Sequence, residues 1–330
     1  MKAAYITRTG PPDVITYGDL PTPQPVGRRV LVRVQAVAVN PIDTYVRSGV
    51  VRMDLPFPFV VGCDLAGVVE AVGPDVTRFE PGDRVWGSNQ GLLGRQGTFS
   101  EFACVDECWL YPTPPSVTDE QAAAIALVGI TAHLGLVRDA RLQRGETVLV
   151  NGASGGVGST VVQMAKLLGA RVIAAVGGKN RVDGVLDLGA DHVIDYTTVE
   201  VDAAVKKISP AGVNVWWETG REPNFDRAVT ALASHGRLIL MAGREARPPF
   251  PVGPFYVKGC SMHGFVMFNV HPDQQREAAD DLNDWMTAGR LKPRIDRVLP
   301  LSAAAEAHRL QEENTIGKSG TIAGKLVLKP

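Results

Sequence analysis

Thr147-Val-Leu-Val-Asn-Gly-Ala-Ser-Gly-Gly-Val-Gly158 decides the fold of this 330-residue chain. Its first residues read as a buried strand, its glycines as a tight turn, and Val157 to Leu168 as a helix. A strand, a glycine-rich turn and a helix N-terminus together make a cradle for a diphosphate. The turn lets the ligand approach the backbone, and free N–H groups at the helix end favour negative charge. Gly155, Gly156 and Gly158 remove side chains that would block that approach, Val157 opens the helix, and Ser154 adds a hydroxyl donor. Aligned to G-x-G-x-x-G on Gly155 and Gly158, the first glycine is Ala153. A P-loop requires Gly-Lys-Ser/Thr, whereas Gly158 is followed by Ser159 and Thr160. No tyrosine has a lysine four residues on, which excludes a Tyr-x-x-x-Lys catalytic pair.

Outward from this motif the chain alternates strand and helix. Strands are predicted at Thr147–Asn151, Arg171–Val176, His192–Ile194, Val213–Glu218 and Gly236–Ala242, with helices of about 10–15 residues between them. That alternation specifies βαβ units and a parallel sheet. Upstream, Thr118 is the N-cap of a helix running through an Ala-rich stretch toward Asp139. The first third reads as antiparallel β: Arg29–Val39 alternates like a half-buried strand, Val60–Val72 is an apolar stretch broken by Gly62 and Gly67, and Pro81-Gly82-Asp83 is a turn into Arg84–Trp86. Gly97–Val105 is a further strand. Downstream, an apolar segment Phe255–Phe268 is followed by a helix (Pro272 to Gly289), a strand (Arg294–Leu299), a helix (Ser302–Glu313) and a strand (Lys325–Leu328). This tail does not extend the parallel sheet, and its return to the N-terminal β region would make that domain discontinuous. The fold class is α/β.

Composition bounds the function. Lys plus Arg number 34 and Asp plus Glu 35, a formal charge of −1, so no global pull toward nucleic acid or an anionic membrane exists. Hydrophobic residues are 45% and charged residues 21%, a globular composition, and 35 Gly with 23 Pro make it rich in turns. The N-terminus MKAAYITRTG carries no apolar signal region. The longest apolar run, Ala122 to Ala132, falls short of the ~18 residues of a membrane span. Four cysteines, Cys63, Cys104, Cys108 and Cys260, are no disulfide framework and suit a reducing, cytoplasmic setting; Cys63, Cys104 and Cys108 read as small buried residues.

The strand after the motif speaks to the ligand. Binding of NAD places an Asp or Glu about 20 residues on, at the end of that strand. Here the strand ends Val176-Gly177-Gly178-Lys179. No acid there opposes a 2′-phosphate, Lys179 supplies a cation, and NADPH is the expected cofactor.

Further motifs are Asn40-Pro-Ile-Asp43-Thr-Tyr45-Val-Arg-Ser-Gly49, Gly62-Cys-Asp64-Leu-Ala-Gly67, Pro81-Gly-Asp83-Arg84-Val, Gly129-Ile-Thr131-Ala, and Asn151 through Lys166. In these the chain resembles the zinc-independent quinone oxidoreductases, the zeta-crystallin type, of the medium-chain dehydrogenase/reductase superfamily. The resemblance runs from residue 1 to the Gly324-Lys325-Leu-Val-Leu segment. It implies a Rossmann domain at 121–264, a discontinuous β-rich GroES-like catalytic domain at 1–120 and 265–330, and a cleft between them. It also implies that the catalytic zinc ligands of zinc-dependent relatives fall at Asn40, Cys63 and Leu127. Only Cys63 of these binds zinc well, and no metal is expected.

The resemblance implies hydride transfer from NADPH to a quinone or conjugated enone, acceptors that already delocalise the incoming charge. It places Asn40, Tyr45 and Thr131 against nicotinamide and substrate, with the Tyr45 hydroxyl as a proton donor. Gly177, Tyr196, Gly243, Phe265, Val266, Met267 and Lys325 are the remaining cofactor contacts it implies. As residues alone, Asn40 also reads as a turn residue before Pro41, Tyr45 as a packed aromatic and Thr131 as a helix hydroxyl bonded to its own backbone. Asp43 reads as structural, paired with an arginine such as Arg47. An enoyl-thioester or alkenal reductase, or a non-catalytic NADPH-binding protein, fits the same scaffold. A homodimer or homotetramer is expected, formed by edge pairing of Phe255–Phe268.

Overall fold

The computed structural model describes residues 1–317 and 319–330. The chain opens with β1 (Lys2–Ile6), β2 (Thr16–Asp19), β3 (Arg29–Ala38), α1 (Pro41–Ser48), β4 (Phe59–Val60), β5 (Leu65–Val72), β6 (Arg84–Gly87), β7 (Phe102–Asp106) and β8 (Leu110–Pro112). Next come α2 (Asp119–His133), β9 (Thr147–Asn151), α3 (Gly156–Leu167), β10 (Arg171–Val176), α4 (Val182–Leu186), β11 (His192–Asp195), α5 (Val201–Ile208), β12 (Val213–Glu218), α6 (Phe225–Ala231), β13 (Leu232–Leu240), α7 (Val252–Val257) and β14 (Ser261–Gly264). It closes with α8 (Pro272–Thr287), β15 (Ile295–Pro300), α9 (Ala304–Thr315) and β16 (Lys325–Lys329). Two compact units result: residues 1–128 with 271–330, and residues 129–270.

The first unit is mainly antiparallel. Its seven-stranded sheet runs β15-β16-β3-β5-β6-β8, with β7 also paired to β3, and a smaller sheet runs β2-β1-β4. The tail does return: β16 pairs antiparallel with β3 through Val327 opposite Ala38 and Leu328 opposite Val37. Val30, Val32, Val34, Leu65, Val85, Phe99, Leu326 and Leu328 share one buried core.

The second unit is a six-stranded parallel sheet ordered β11-β10-β9-β12-β13-β14. Its central strands are buried on both faces, as Val148–Val150 and Val172–Val176 show, because helices cover a parallel sheet on each side. Leu149, Ile173, Ile194, Trp216 and Leu238 form its core.

Several expectations need correction. Three crossover helices are short: α4, α5 and α6 have five, eight and seven residues. Gly189, at φ +97°, lies just beyond α4, and α5 stops before Ser209-Pro210, where the residue preceding proline avoids helix. Gly97 approaches the Val60 and Val61 carbonyls so closely that a Cβ would lie 2.4 Å from either oxygen; the regular strand starts only at Phe102. Phe255–Phe268 is not one strand. Helix α7 holds its first residues, the edge strand β14 spans Ser261–Gly264, and Phe265–Met267 lie beyond it. Cys63 is buried, but Cys104 and Cys108 are half-buried. The helical stretch Asp119–Asp139 is long and apolar enough to cross a membrane by length and composition, and most of it is buried within the protein.

Candidate functional site

The glycine-rich turn follows β9 and enters α3. Gly155 is the N-cap with no side chain capping it. The first hydrogen bond into the helix is Ser159 N–H to the Gly155 carbonyl at 2.8 Å. Among the described residues no acceptor serves the N–H groups of Gly156, Val157 and Gly158. These are the orphan donors of a helix start, and they fit a diphosphate. A Cβ at Gly158 would sit 2.2 Å from the Gly152 carbonyl oxygen, whereas one at Gly155 would meet nothing closer than 3.6 Å. Gly158 thus keeps the turn closed. Ser154 is buried, 3% exposed, and its Oγ accepts from Arg181 Nη1 at 3.1 Å.

Arg181 was not visible as a site residue in the sequence. It lies 27 residues from Ser154, and the fold brings its guanidinium onto the turn. Lys179 is exposed. Tyr196 is 44% exposed and lies over Gly177, where a Cβ would be 2.5 Å from the Tyr196 hydroxyl. Asp195, at the end of β11, accepts from the Gly178 N–H at 3.0 Å and from the Thr197 hydroxyl at 2.7 Å. These bonds hold its carboxyl below its ordinary range, the Thr197 hydroxyl contributing most. Gly243 adopts φ +86° just after β13. The Arg138 guanidinium stacks on Phe265 at 5.3 Å, Val266 is exposed, and Met267 is buried. Thr131 is buried in α2.

A different kind of site occupies the first unit. Asn40 is fully buried at the N-cap of α1. Its Nδ2 donates to Asp64 Oδ2 at 2.8 Å and its Oδ1 accepts from Lys325 Nζ. Lys325, 5% exposed, also donates to the Val39 carbonyl at 2.7 Å and lies 3.9 Å from Asp64. The Ser88 hydroxyl donates to Asp64 Oδ1 at 2.7 Å. Burial pushes the Asp64 carboxyl up while Lys325 opposes the shift; burial pushes the Lys325 ammonium down. Asp43 Oδ2 accepts the Asn40 N–H at 2.7 Å. Burial raises the Asp43 carboxyl to about 7, against a hydrogen bond from the Cys63 thiol, and burial raises that thiol as well.

The expected Asp43–Arg47 pair does not form. Arg47 is buried and pairs with Glu312 instead, also donating to the Gly10 carbonyl at 2.5 Å. Of the predicted site residues, the structure therefore brings Asn40 and Lys325 together as interior partners. Tyr45, two residues along α1 from Asp43, is half-buried.

Known proteins match both the β-rich and the parallel-sheet regions of this chain. Residues 27–115 match the alcohol dehydrogenase GroES-like domain, and residues 156–285 match a family described as zinc-binding dehydrogenase. The quinone oxidoreductase of Sus scrofa is 33% identical over 99% of this chain and 97% of its own. The Escherichia coli quinone oxidoreductase solved in complex with NADPH superposes with a TM-score of 0.87 at 25% identity, covering all of both chains. An NAD-dependent alcohol dehydrogenase superposes at 0.89 with 32% identity over the full length of both.

Proposed function

This chain belongs to the quinone oxidoreductases of the medium-chain dehydrogenase/reductase superfamily, NAD(P)H-dependent oxidoreductases, and on that premise we propose that it reduces quinones or conjugated enones with NADPH. The observation that carries the choice of cofactor is Arg181 held against Ser154 in the turn, with Lys179 exposed two residues before it and no carboxylate at the end of β10.

The residues fit a dinucleotide. The N–H groups of Gly156, Val157 and Gly158 hold its diphosphate, and Arg181 and Lys179 hold the 2′-phosphate as charge-assisted donors. Tyr196, Gly177, Gly243 and the Phe265–Met267 segment are further cofactor contacts. The bound cofactor supplies the hydride. Tyr45 and Thr131 contact the reacting groups, and the Tyr45 hydroxyl holds the proton for the acceptor oxygen. Asn40 acts one step back: its amide is spent on Asp64 and Lys325, so it sets the start of the helix that carries Tyr45.

The residues do not fit zinc. Among the described residues no group of three His, Cys, Asp or Glu side chains is arranged to hold a metal ion. Asn40 and Cys63 are engaged within the interior, and Leu127 is apolar. Stabilisation of the reduced oxygen then falls to hydroxyl, amide and backbone donors, which suits acceptors that delocalise charge. The protein works in the cytoplasm as a homo-oligomer, with β14 as the pairing edge; a monomeric mass in solution scattering would reject that assembly.

The test is NADPH oxidation followed by absorbance after treatment with a chelator, across a panel of quinones and enones. Sustained turnover of a quinone or enone is expected. Activity that requires added zinc, or NADPH binding without turnover of any acceptor, would contradict the proposal.

A further inference from the structure

The parallel sheet reverses its winding between β9 and β12. Open α/β sheets bind ligands outside the carboxyl ends of their strands at that reversal. Two polar side chains end those strands in register: Asn151 closes β9, Glu218 closes β12, and they are direct partners across the ladder. Glu218 is 2% exposed. Its Oε1 accepts from Asn151 Nδ2 at 2.7 Å and from the Gly220 N–H at 2.6 Å, and its Oε2 accepts from the Trp216 indole N–H at 3.0 Å.

Burial pushes the Glu218 carboxyl up, but the Gly220 and Trp216 N–H groups can only donate, so both its oxygens act as acceptors and Oε1 dictates which end of the Asn151 amide faces it. The NH2 turns inward. Asn151 Oδ1 is left with no hydrogen bond among the described residues, and it is not one of the buried unpartnered atoms. The backbone is fixed too: the Thr219 hydroxyl donates to the Asn151 carbonyl at 2.7 Å. Gly152 follows at once, and a Cβ there would lie 2.0 Å from Thr219 Oγ1. Asn151 is therefore held rigidly by β12 one residue before the glycine-rich turn, with an acceptor left open.

We infer that Asn151 is a cofactor contact, its Oδ1 accepting from a hydroxyl or amide donor of the bound nicotinamide dinucleotide, and that Glu218 is the positioning residue that keeps this oxygen facing outward. The turn and the two cations supply donors, which serve the anionic groups of such a ligand. Its ribose hydroxyls and carboxamide are themselves donors and require an acceptor at the strand ends. This inference rests on the glycine-rich turn being the cofactor's cradle.

Calorimetric titration with NADPH tests it on the wild type, Glu218→Leu, Asn151→Leu and the double variant. Glu218→Leu removes the acceptor that holds the Asn151 NH2 inward, so the amide is free to turn and its Oδ1 is no longer held facing outward. Each single variant is expected to raise Kd about tenfold, and the double variant no more than the larger single, because both act through one contact. The loss should fall on KM for the cofactor rather than on kcat. Thermal unfolding is recorded in parallel. Variants that unfold at lower temperature yet keep the wild-type Kd would make the pair purely structural and overturn the inference, as would fully additive losses. A wild type that fails to bind NADPH would overturn the cofactor reading and this inference with it.

Discussion

The two units place their polar groups in opposite ways. In residues 129–270 the candidate site is mostly backbone: a turn whose N–H groups point outward from a helix start, with a few side chains set around it. In residues 1–128 with 271–330 it is a closed knot of side chains, with Asn40, Asp43, Cys63, Asp64 and Lys325 all buried. A backbone site needs absent side chains, and glycine spacing records that absence. A side-chain knot needs partners brought from distant positions, and only the fold records those.

The contrast is sharpest at Gly158. Gly158→Ala puts a Cβ 2.2 Å from the Gly152 oxygen and 2.9 Å from the Ala153 Cα, atoms of backbone that cannot step aside. NADPH binding should weaken at least a hundredfold, as read by titration, with the first unit's core intact by circular dichroism. Wild-type affinity in this variant would mean the turn is not the cradle.

In the first unit the buried knot depends on Lys325. Lys325→Met leaves the Asp64 carboxylate buried without its cation, a defect worth about 3–5 kcal/mol, measured by denaturant unfolding. Adding Asp64→Asn should recover a large part of the loss. No recovery would show that the ammonium matters for its bonds to Val39 and Asn40 rather than for its charge.

A smaller effect lies in the pH dependence of stability. Burial depresses His308 to about 3 from 6.5, so the unfolded chain takes up its proton first. The stability it lends is complete above about 6.5 and falls as pH drops toward 3. Asp43, raised to about 7 from 3.8, has the opposite sign: its contribution is complete below 3.8 and is lost as pH rises toward 7. Each slope is at most about 1.4 kcal/mol per pH unit, and between 3.8 and 6.5 the two offset one another. Asp43→Asn should therefore lose stability on acidification relative to His308→Leu. Denaturant unfolding from pH 4 to pH 7 checks this, and parallel curves for the two variants would contradict it.

The sequence carried the parallel sheet, the turn at Gly155–Gly158 and the returning tail, because each follows from periodicity or from a backbone that tolerates only glycine. It did not carry Arg181. Lys179 stands nearer the strand end in sequence, but Arg181 is the cation that reaches Ser154. Nor did it show that Asn40 is an interior residue, since its partners lie 24 and 285 positions away. Phe255–Phe268 failed for a different reason: a short apolar run does not by itself distinguish strand from helix, and Gly259 at φ +62° divides it.

Titrating the protein with NADPH and NADH, and repeating with Arg181→Ala, shows whether the parallel-sheet unit holds a 2′-phosphorylated dinucleotide as proposed. The expected result is clear preference for NADPH in the wild type, reduced about tenfold in the variant. Equal affinity for the two cofactors, or an unchanged preference in Arg181→Ala, would contradict it.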